Sequence, residues 1–305
     1  MRRLLLLLPL WTACASAPQY GDPIQHLVVA EERLGAGDTD AAAELLDRID
    51  PDRLTGDHVT GDHHERYQIA RARVLELQKR WWAAFKVLKD FVKAHPFSRY
   101  QSVAREIAFR IGEALLLSDG GFLFFTSDKD DGIAVMEFFY TQFPDEKVRM
   151  PDVLHALGEE AFRREQWELC IQRYRALIQD FSEPRNEWID LAYFRAAMCH
   201  YYQLKGADYD QVAISQAYRE LGGYLDSRPE NPEFRTTATA AHQELKGWLA
   251  QKELRTARFY QRIDKPAGRQ LHLTRVLQYP GTPEAAIAEE QLKTLPPQSR
   301  PGGRP

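Results

Sequence analysis

Apolar positions along the chain recur at helical spacing, and the helices they predict end repeatedly in the same way, with an apolar-aromatic stretch running into a proline. The phrase reads Phe91-Val-Lys-Ala-His-Pro96, Phe139-Tyr-Thr-Gln-Phe-Pro144, Ile178-Gln-Asp-Phe-Ser-Glu-Pro184, Tyr224-Leu-Asp-Ser-Arg-Pro229 and Val276-Leu-Gln-Tyr-Pro280. Its prolines lie 40 to 51 residues apart. A proline cannot continue a helix, so each phrase marks a helix end and the interval between them a structural repeat. No strands are needed to account for the pattern.

Counting back from these prolines recovers the tetratricopeptide spacing, in which small residues let two antiparallel helices touch and a large residue fills the gap between them. From Pro151 onward, Leu154, Leu157-Gly158, Ala161, Cys170, Tyr174 and Leu177 fall on pattern positions. One unit earlier, Ala108, Ile111-Gly112 and Leu115 make a first helix and Gly132, Met136 and Phe139 a second, with an insertion between them. Gln68, Ala72 and Leu75, then Ala84, Leu88 and Phe91, supply another unit, in which Arg71 stands at an apolar place. Tyr193, Ala196-Ala197, Ala217, Leu221 and Tyr224 supply a fifth, with an insertion at Lys205 to Tyr209. Ala257, Phe259-Tyr260, Ala267 and Leu271 mark a last unit, and Val28 to Ile49 a shortened first one around Gly35-Ala-Gly37. The sequence therefore predicts an all-α fold, a tetratricopeptide-type helical-hairpin solenoid of about six helix pairs over residues 24–295. Asp62 is expected to cap a helix N-terminus, and residues 296–305, rich in Pro and Gly, to form a frayed tail.

The amino terminus reads differently. Arg2 and Arg3 precede an apolar run from Leu4 to Leu10, and Thr12-Ala13 leads into Cys14. This is the layout of a secretion signal over residues 1–13, too short to span a bilayer as a mature helix. Trp11-Thr-Ala-Cys14 resembles a bacterial lipobox, which implies diacylglycerol on the Cys14 thiol and a lipidated linker over 14–23. Ordinary cleavage after Ala13 or Ala17 is the alternative. Ala15, where an Asp would retain a lipoprotein at the inner membrane, points to the outer membrane.

Composition narrows the function. The 305 residues carry a formal net charge of −4, which gives no basic footprint for nucleic acid. Three cysteines, none at C-x-x-C spacing, exclude a disulfide framework and a zinc ribbon. No phosphate-binding loop, nucleophile elbow or dinucleotide fingerprint is present. Asp57-His58 and Asp62-His63-His64-Glu65 are the densest potential metal ligands, but they lack the spacing of a zinc helix. Asp128-Lys-Asp130-Asp131-Gly132 fails as a calcium loop because Phe139 occupies the place of the bidentate Glu. Cys170 and Cys199 are expected as small buried residues. The reading is a non-enzymatic protein without cofactor or metal.

Two groups of residues are candidates for binding. In a tetratricopeptide array the first helices of the pairs line the inner surface, which places Arg71, Arg105, Arg110, His155 and Tyr193 there. Arg105 and Arg110 suit the carboxylates of a bound segment, or else pair with Glu106 and Glu113. Phe122, Phe124 and Phe125, in the apolar insertion Gly120-Gly-Phe122-Leu-Phe-Phe125, either meet a partner or tuck onto the neighbouring repeat.

The lipobox-like Cys14, the repeat array and the phrase Gly121-Phe122-Leu-Phe-Phe125-Thr-Ser-Asp-Lys-Asp-Asp131 together resemble the BamD-like lipoproteins of the outer-membrane β-barrel assembly machine. The similarity runs from about Arg66 to Pro184 and includes Arg164-Glu-Gln-Trp167 followed by Tyr174; two further units follow it. The resemblance implies a lipid-anchored scaffold on the periplasmic face of the outer membrane. Its partners would be an assembly component and unfolded outer-membrane β-barrel precursors. An adaptor of another envelope complex, in secretion or cell-wall assembly, is the other reading.

Overall fold

The computed structural model describes residues 21–55, 62–117, 128–183, 186–208, 210–227 and 229–295. These form thirteen α-helices and one 3-10 turn, with no strand among the described residues. The helices are α1 (Pro23–Gly35), α2 (Thr39–Asp47), α3 (His63–Leu77), α4 (Trp81–Ala94), α5 (Gln101–Leu117), α6 (Asp128–Gln142), α7 (Met150–Arg163), α8 (Trp167–Phe181), α9 (Ile189–Tyr202), α10 (Gln211–Asp226), α11 (Pro232–Arg262), α12 (Pro266–Val276) and α13 (Pro283–Thr294). The 3-10 turn is Pro51–Leu54. Cys14, Asp57-His58, Phe122 to Phe125 and the tail from residue 296 lie outside the described residues.

Two compact units divide the chain, residues 1–135 and 136–305. In the first, α1 packs on α2, α3 on α4, and α3 touches both α1 and α5. In the second, α7 packs on α8, α8 on α9, α9 on α10 and α10 on α11, while α7 also meets α9. This is the helical-hairpin packing the sequence predicts: α3 lies against its partner α4, the preceding α2 and the next first helix α5, and α9 likewise against α10, α8 and α11. Pro96, Pro144, Pro229 and Pro280 all follow the second helix of a pair, as their recurrence requires.

The small pattern residues are where the helices touch. Ala84, Ala108, Ala217 and Cys170 are fully buried, and Cys199 lies buried across from Cys170, its thiol hydrogen-bonded to that of Cys170. A Cβ on Gly158 would lie 2.8 Å from the ring of Tyr174, so the glycine is what lets α7 receive this fully buried side chain from α8. Asp22, Asp38, Asp210, Asn231 and Thr282 cap their helices by accepting backbone N–H groups. Asp62 departs from expectation. It occupies the N-cap position of α3, but its carboxylate accepts instead from the Tyr100 hydroxyl at 2.6 Å and from Arg99.

One turn closes four of the hairpins. Gly37, Lys79, Glu165 and Asp264 have φ of 81°, 58°, 57° and 51°, each two residues before the next helix begins. The residue after each donates its N–H to a carbonyl five positions back: Asp38 to Arg33, Arg80 to Leu75, Gln166 to Ala161 and Lys265 to Tyr260. This left-handed helix end reverses the chain in the fewest residues, and three of the four instances hold it without a glycine.

The last repeat does not follow the expected frame. α11 is a single helix of 31 residues. Ala238, Ala241, Leu245 and Leu249 from its first half join the core built on α9 and α10, and Ala250, Leu254 and Ala257 join a second core with Leu273, Val276, Ala285 and Ala288. Ala257 is buried as expected, whereas Phe259, Ala267 and Leu271 are exposed and Leu273 and Val276 take the inner places. The sequence frame is displaced there because α11 continues through the point at which a repeat boundary would have broken it.

Candidate functional site

Successive repeats are tied by a series of ion pairs whose partners lie 34 to 36 residues apart in the chain. Arg66 forks onto Glu31, 35 residues earlier, and Arg110 onto Glu76, 34 earlier, with Nε and Nη2 donating at 2.6 and 3.0 Å. Arg195 forks onto Glu159, 36 residues earlier. In each case the Glu is on one first helix and the Arg on the first helix of the following pair. Arg173 on α8 makes the same connection to Glu137 on α6, again over 36 residues, and the Trp188 indole donates to Asp152 at that spacing.

These ties place most of the sequence-predicted site residues. Arg110 is committed to Glu76, whose carboxylate holds the guanidinium pKa above its ordinary value, and has Glu106 at 3.5 Å as well. Its pairing with Glu106 was one expected alternative; Glu76, the stronger partner, was not foreseen. Arg105, half-buried on α5, also has an interaction partner. Arg71 donates to Asp47 at 2.8 Å, which explains a cation at an apolar place of the repeat. His155 stacks flat against Trp188, with centroids 3.7 Å apart, and its Nδ1 is buried without a hydrogen-bond partner. Burial holds this imidazole below its usual pKa.

Tyr193 is the exception. It stands exposed at the rim of a cleft of about 450 Å³ between α8, α9 and α10. Ala196, Ala197 and Gly223 keep the cleft open, since a Cβ on Gly223 would meet nothing within 4 Å. Arg175 and Arg219 line it. Arg175 donates to Glu220 at 3.0 Å and to His200 Nε2 at 3.2 Å. Because a guanidinium only donates, His200 must accept there and carry its proton on Nδ1, and burial together with the Arg175 charge keeps its pKa low. Arg219 is exposed and has no ion-pair partner among the described residues.

The cleft holds an aromatic face, one free and one paired guanidinium, and an apolar floor. Ser227 beside it donates its hydroxyl to the Tyr224 carbonyl, so it is not presented as a nucleophile. The Cys199 thiol is buried and raised in pKa by its hydrogen bond with Cys170 and by burial, the reverse of an activated thiolate. Among the described residues no three or more His, Cys, Asp or Glu side chains converge, and no helix is long and apolar enough to cross a membrane. Such a cleft suits a short extended or helical segment that presents an acidic group beside an apolar one. Sequence reasoning found Tyr193 but missed Arg175 and Arg219. They lie on second helices, outside the face searched. Compared with protein-family models and with curated proteins, the chain matches none.

Proposed function

We propose that the protein is a non-enzymatic scaffold of the cell envelope, anchored at the periplasmic face of the outer membrane through Cys14, which captures a segment of a partner protein in the cleft between α8, α9 and α10. The observation that carries this reading is the cleft itself. Tyr193 and the unpaired Arg219 face solvent across an open apolar floor, in a helical-hairpin framework where Arg66, Arg110 and Arg195 are spent on joining repeats. The sequence resemblance supplies the partner class: a component of the β-barrel assembly machinery, or an unfolded β-barrel precursor.

Affinity capture from detergent-solubilised envelopes tests this reading. Wild-type protein should retain a β-barrel membrane protein, and Tyr193→Ala with Arg219→Glu should weaken that capture at least about tenfold, since an aromatic and an arginine anchor are each worth roughly 1 kcal/mol or more. Retention of soluble or inner-membrane proteins alone would assign the scaffold to another envelope complex. Capture that the double variant leaves intact would move the binding surface out of the cleft.

A further inference from the structure

The charge of this chain is unevenly placed. Residues 246–275 contain eight Lys or Arg against two carboxylates, Glu253 and Asp264, in a protein whose formal net charge is −4. Much of that excess lies on the C-terminal half of α11. Arg255, Arg258 and Arg262, spaced three and four residues apart, share one helix face and line a shallow depression of about 730 Å³. The buried side chains of this segment, Leu254 and Ala257, enter the terminal core, roughly a quarter turn around the helix from the centre of the arginine face.

The nearby acids pair with one cation of this face, Arg255, and leave Arg258 and Arg262 without a partner among the described residues. Asp208 is taken by Arg255, with Lys252 also close to it, and Glu253 is bound to His272 Nδ1 at 2.6 Å. Asp264 sits in the turn to α12, next to Lys265. Arg258, Arg262 and Lys265 have no ion-pair partner among the described residues. Beside these cations stand two large apolar side chains, Phe259 and, one turn on at the helix C-cap, Ile263, which are 47% and 46% exposed.

We propose that this face of α11 docks on an anionic phospholipid bilayer. Guanidinium and ammonium groups that remain solvated in the folded chain complement a layer of phosphate headgroups, and Phe259 and Ile263 enter the boundary beneath them. The apolar pair selects a bilayer over an acidic polypeptide. A fluid lipid surface accepts two protruding side chains without a shaped pocket, whereas a protein partner must supply one. The surface works independently of Cys14 and of the cleft at Tyr193. It would fix how an anchored chain lies against its membrane.

Vesicle co-sedimentation of the full chain carrying Cys14→Ser, to which no acyl chain can be attached, tests the proposal. Vesicles of phosphatidylcholine with about a quarter phosphatidylglycerol should bind the protein more tightly than pure phosphatidylcholine, and added salt should erase the difference. The amino-terminal apolar stretch is common to every variant, so differences between variants report the α11 face. Arg258→Glu with Arg262→Glu should lower partitioning at least about tenfold, the milder Arg258→Gln with Arg262→Gln less, and Phe259→Ala several-fold at constant charge. Circular dichroism of these surface variants should be unchanged. Absence of a preference for anionic vesicles, or partitioning indifferent to the charge reversal, would overturn the proposal. Binding to soluble polyglutamate as tight as to vesicles, with Phe259→Ala without effect, would overturn it in favour of an acidic polypeptide.

Discussion

Arg195 grips Glu159 through two hydrogen bonds, Nε at 2.7 Å and Nη2 at 3.0 Å, and the same carboxylate accepts the Tyr174 hydroxyl at 2.6 Å. One side chain of α7 thereby joins α8 and α9, which fixes the angle at which one repeat follows another. Arg195→Met keeps much of the packing against Phe162, over which the guanidinium lies at 4.0 Å, but leaves the half-buried carboxylate with one partner fewer. The expected loss is about 1–3 kcal/mol in urea unfolding, below the full cost of breaking a buried pair because solvent reaches Glu159. An unchanged unfolding midpoint would mean that the ion pair is surface decoration.

Gly158→Ala should destabilise the second unit by about 1–3 kcal/mol, through overpacking against Tyr174. The new methyl would lie 2.8 Å from two ring atoms of a side chain that is fully buried and hydrogen-bonded at its far end, so the ring has no easy retreat. Gly223→Ala, whose methyl meets nothing, is the matched control. Equal melting temperatures for the two variants would show that the ring adapts.

Lys79→Gly and Glu165→Gly should each stabilise, by about 0.5–1 kcal/mol. Both residues are held at positive φ, where a Cβ costs roughly 1–2 kcal/mol, and the extra entropy glycine brings to the unfolded chain returns part of the gain. Glycine at the corresponding turn, Gly37, supplies the precedent within the same chain. Chemical denaturation gives the sign directly, and a loss of stability would contradict it.

Acid should weaken the fold well before its carboxylates titrate. His64, His155, His200 and His242 are all depressed below the ordinary imidazole value of 6.5, burial being the first cause in each. An unfolded chain takes up protons from about pH 6.5 downward that these folded sites resist, so their stability contribution is complete above that value and declines as the pH falls. Asp62, Glu159 and Glu160, also depressed, add to the loss only below their ordinary values of 3.8 to 4.5. Melting temperature should therefore fall between about pH 6.5 and pH 5, and His155→Gln should flatten the decline. A flat profile across that interval would exclude the histidines as its source.

The repeat architecture was legible because it depends on which positions are small and which are large. Ala84, Cys170, Ala217 and Leu221 are buried where the spacing puts them. The ties between repeats were harder to see. Glu76 and Arg110 read as ordinary charges on two helices, and nothing local to either one, 34 residues apart, shows that they meet. The terminal repeat misled for a different reason. Nothing in the local sequence of α11 breaks the helix at the expected boundary, so the decision falls to the two cores on which it packs. The cleft was half visible, through Tyr193. Arg175 and Arg219 come to it from α8 and α10, a proximity set by tertiary packing.

The continuity of α11 determines how the carboxyl-terminal part of the chain comes apart. Elsewhere a loop separates one hairpin from the next, and unzipping can pause there without breaking helical hydrogen bonds. Here the seam between two cores falls inside a rod about 46 Å long, between Leu249 and Ala250, so fraying that starts at α13 runs directly into the turns that support α9 and α10. The last three helices are thus no detachable cap. They belong to one foldon with the hairpin before them, and amide exchange in α12 should report the opening of that whole cooperative block rather than of the chain end alone.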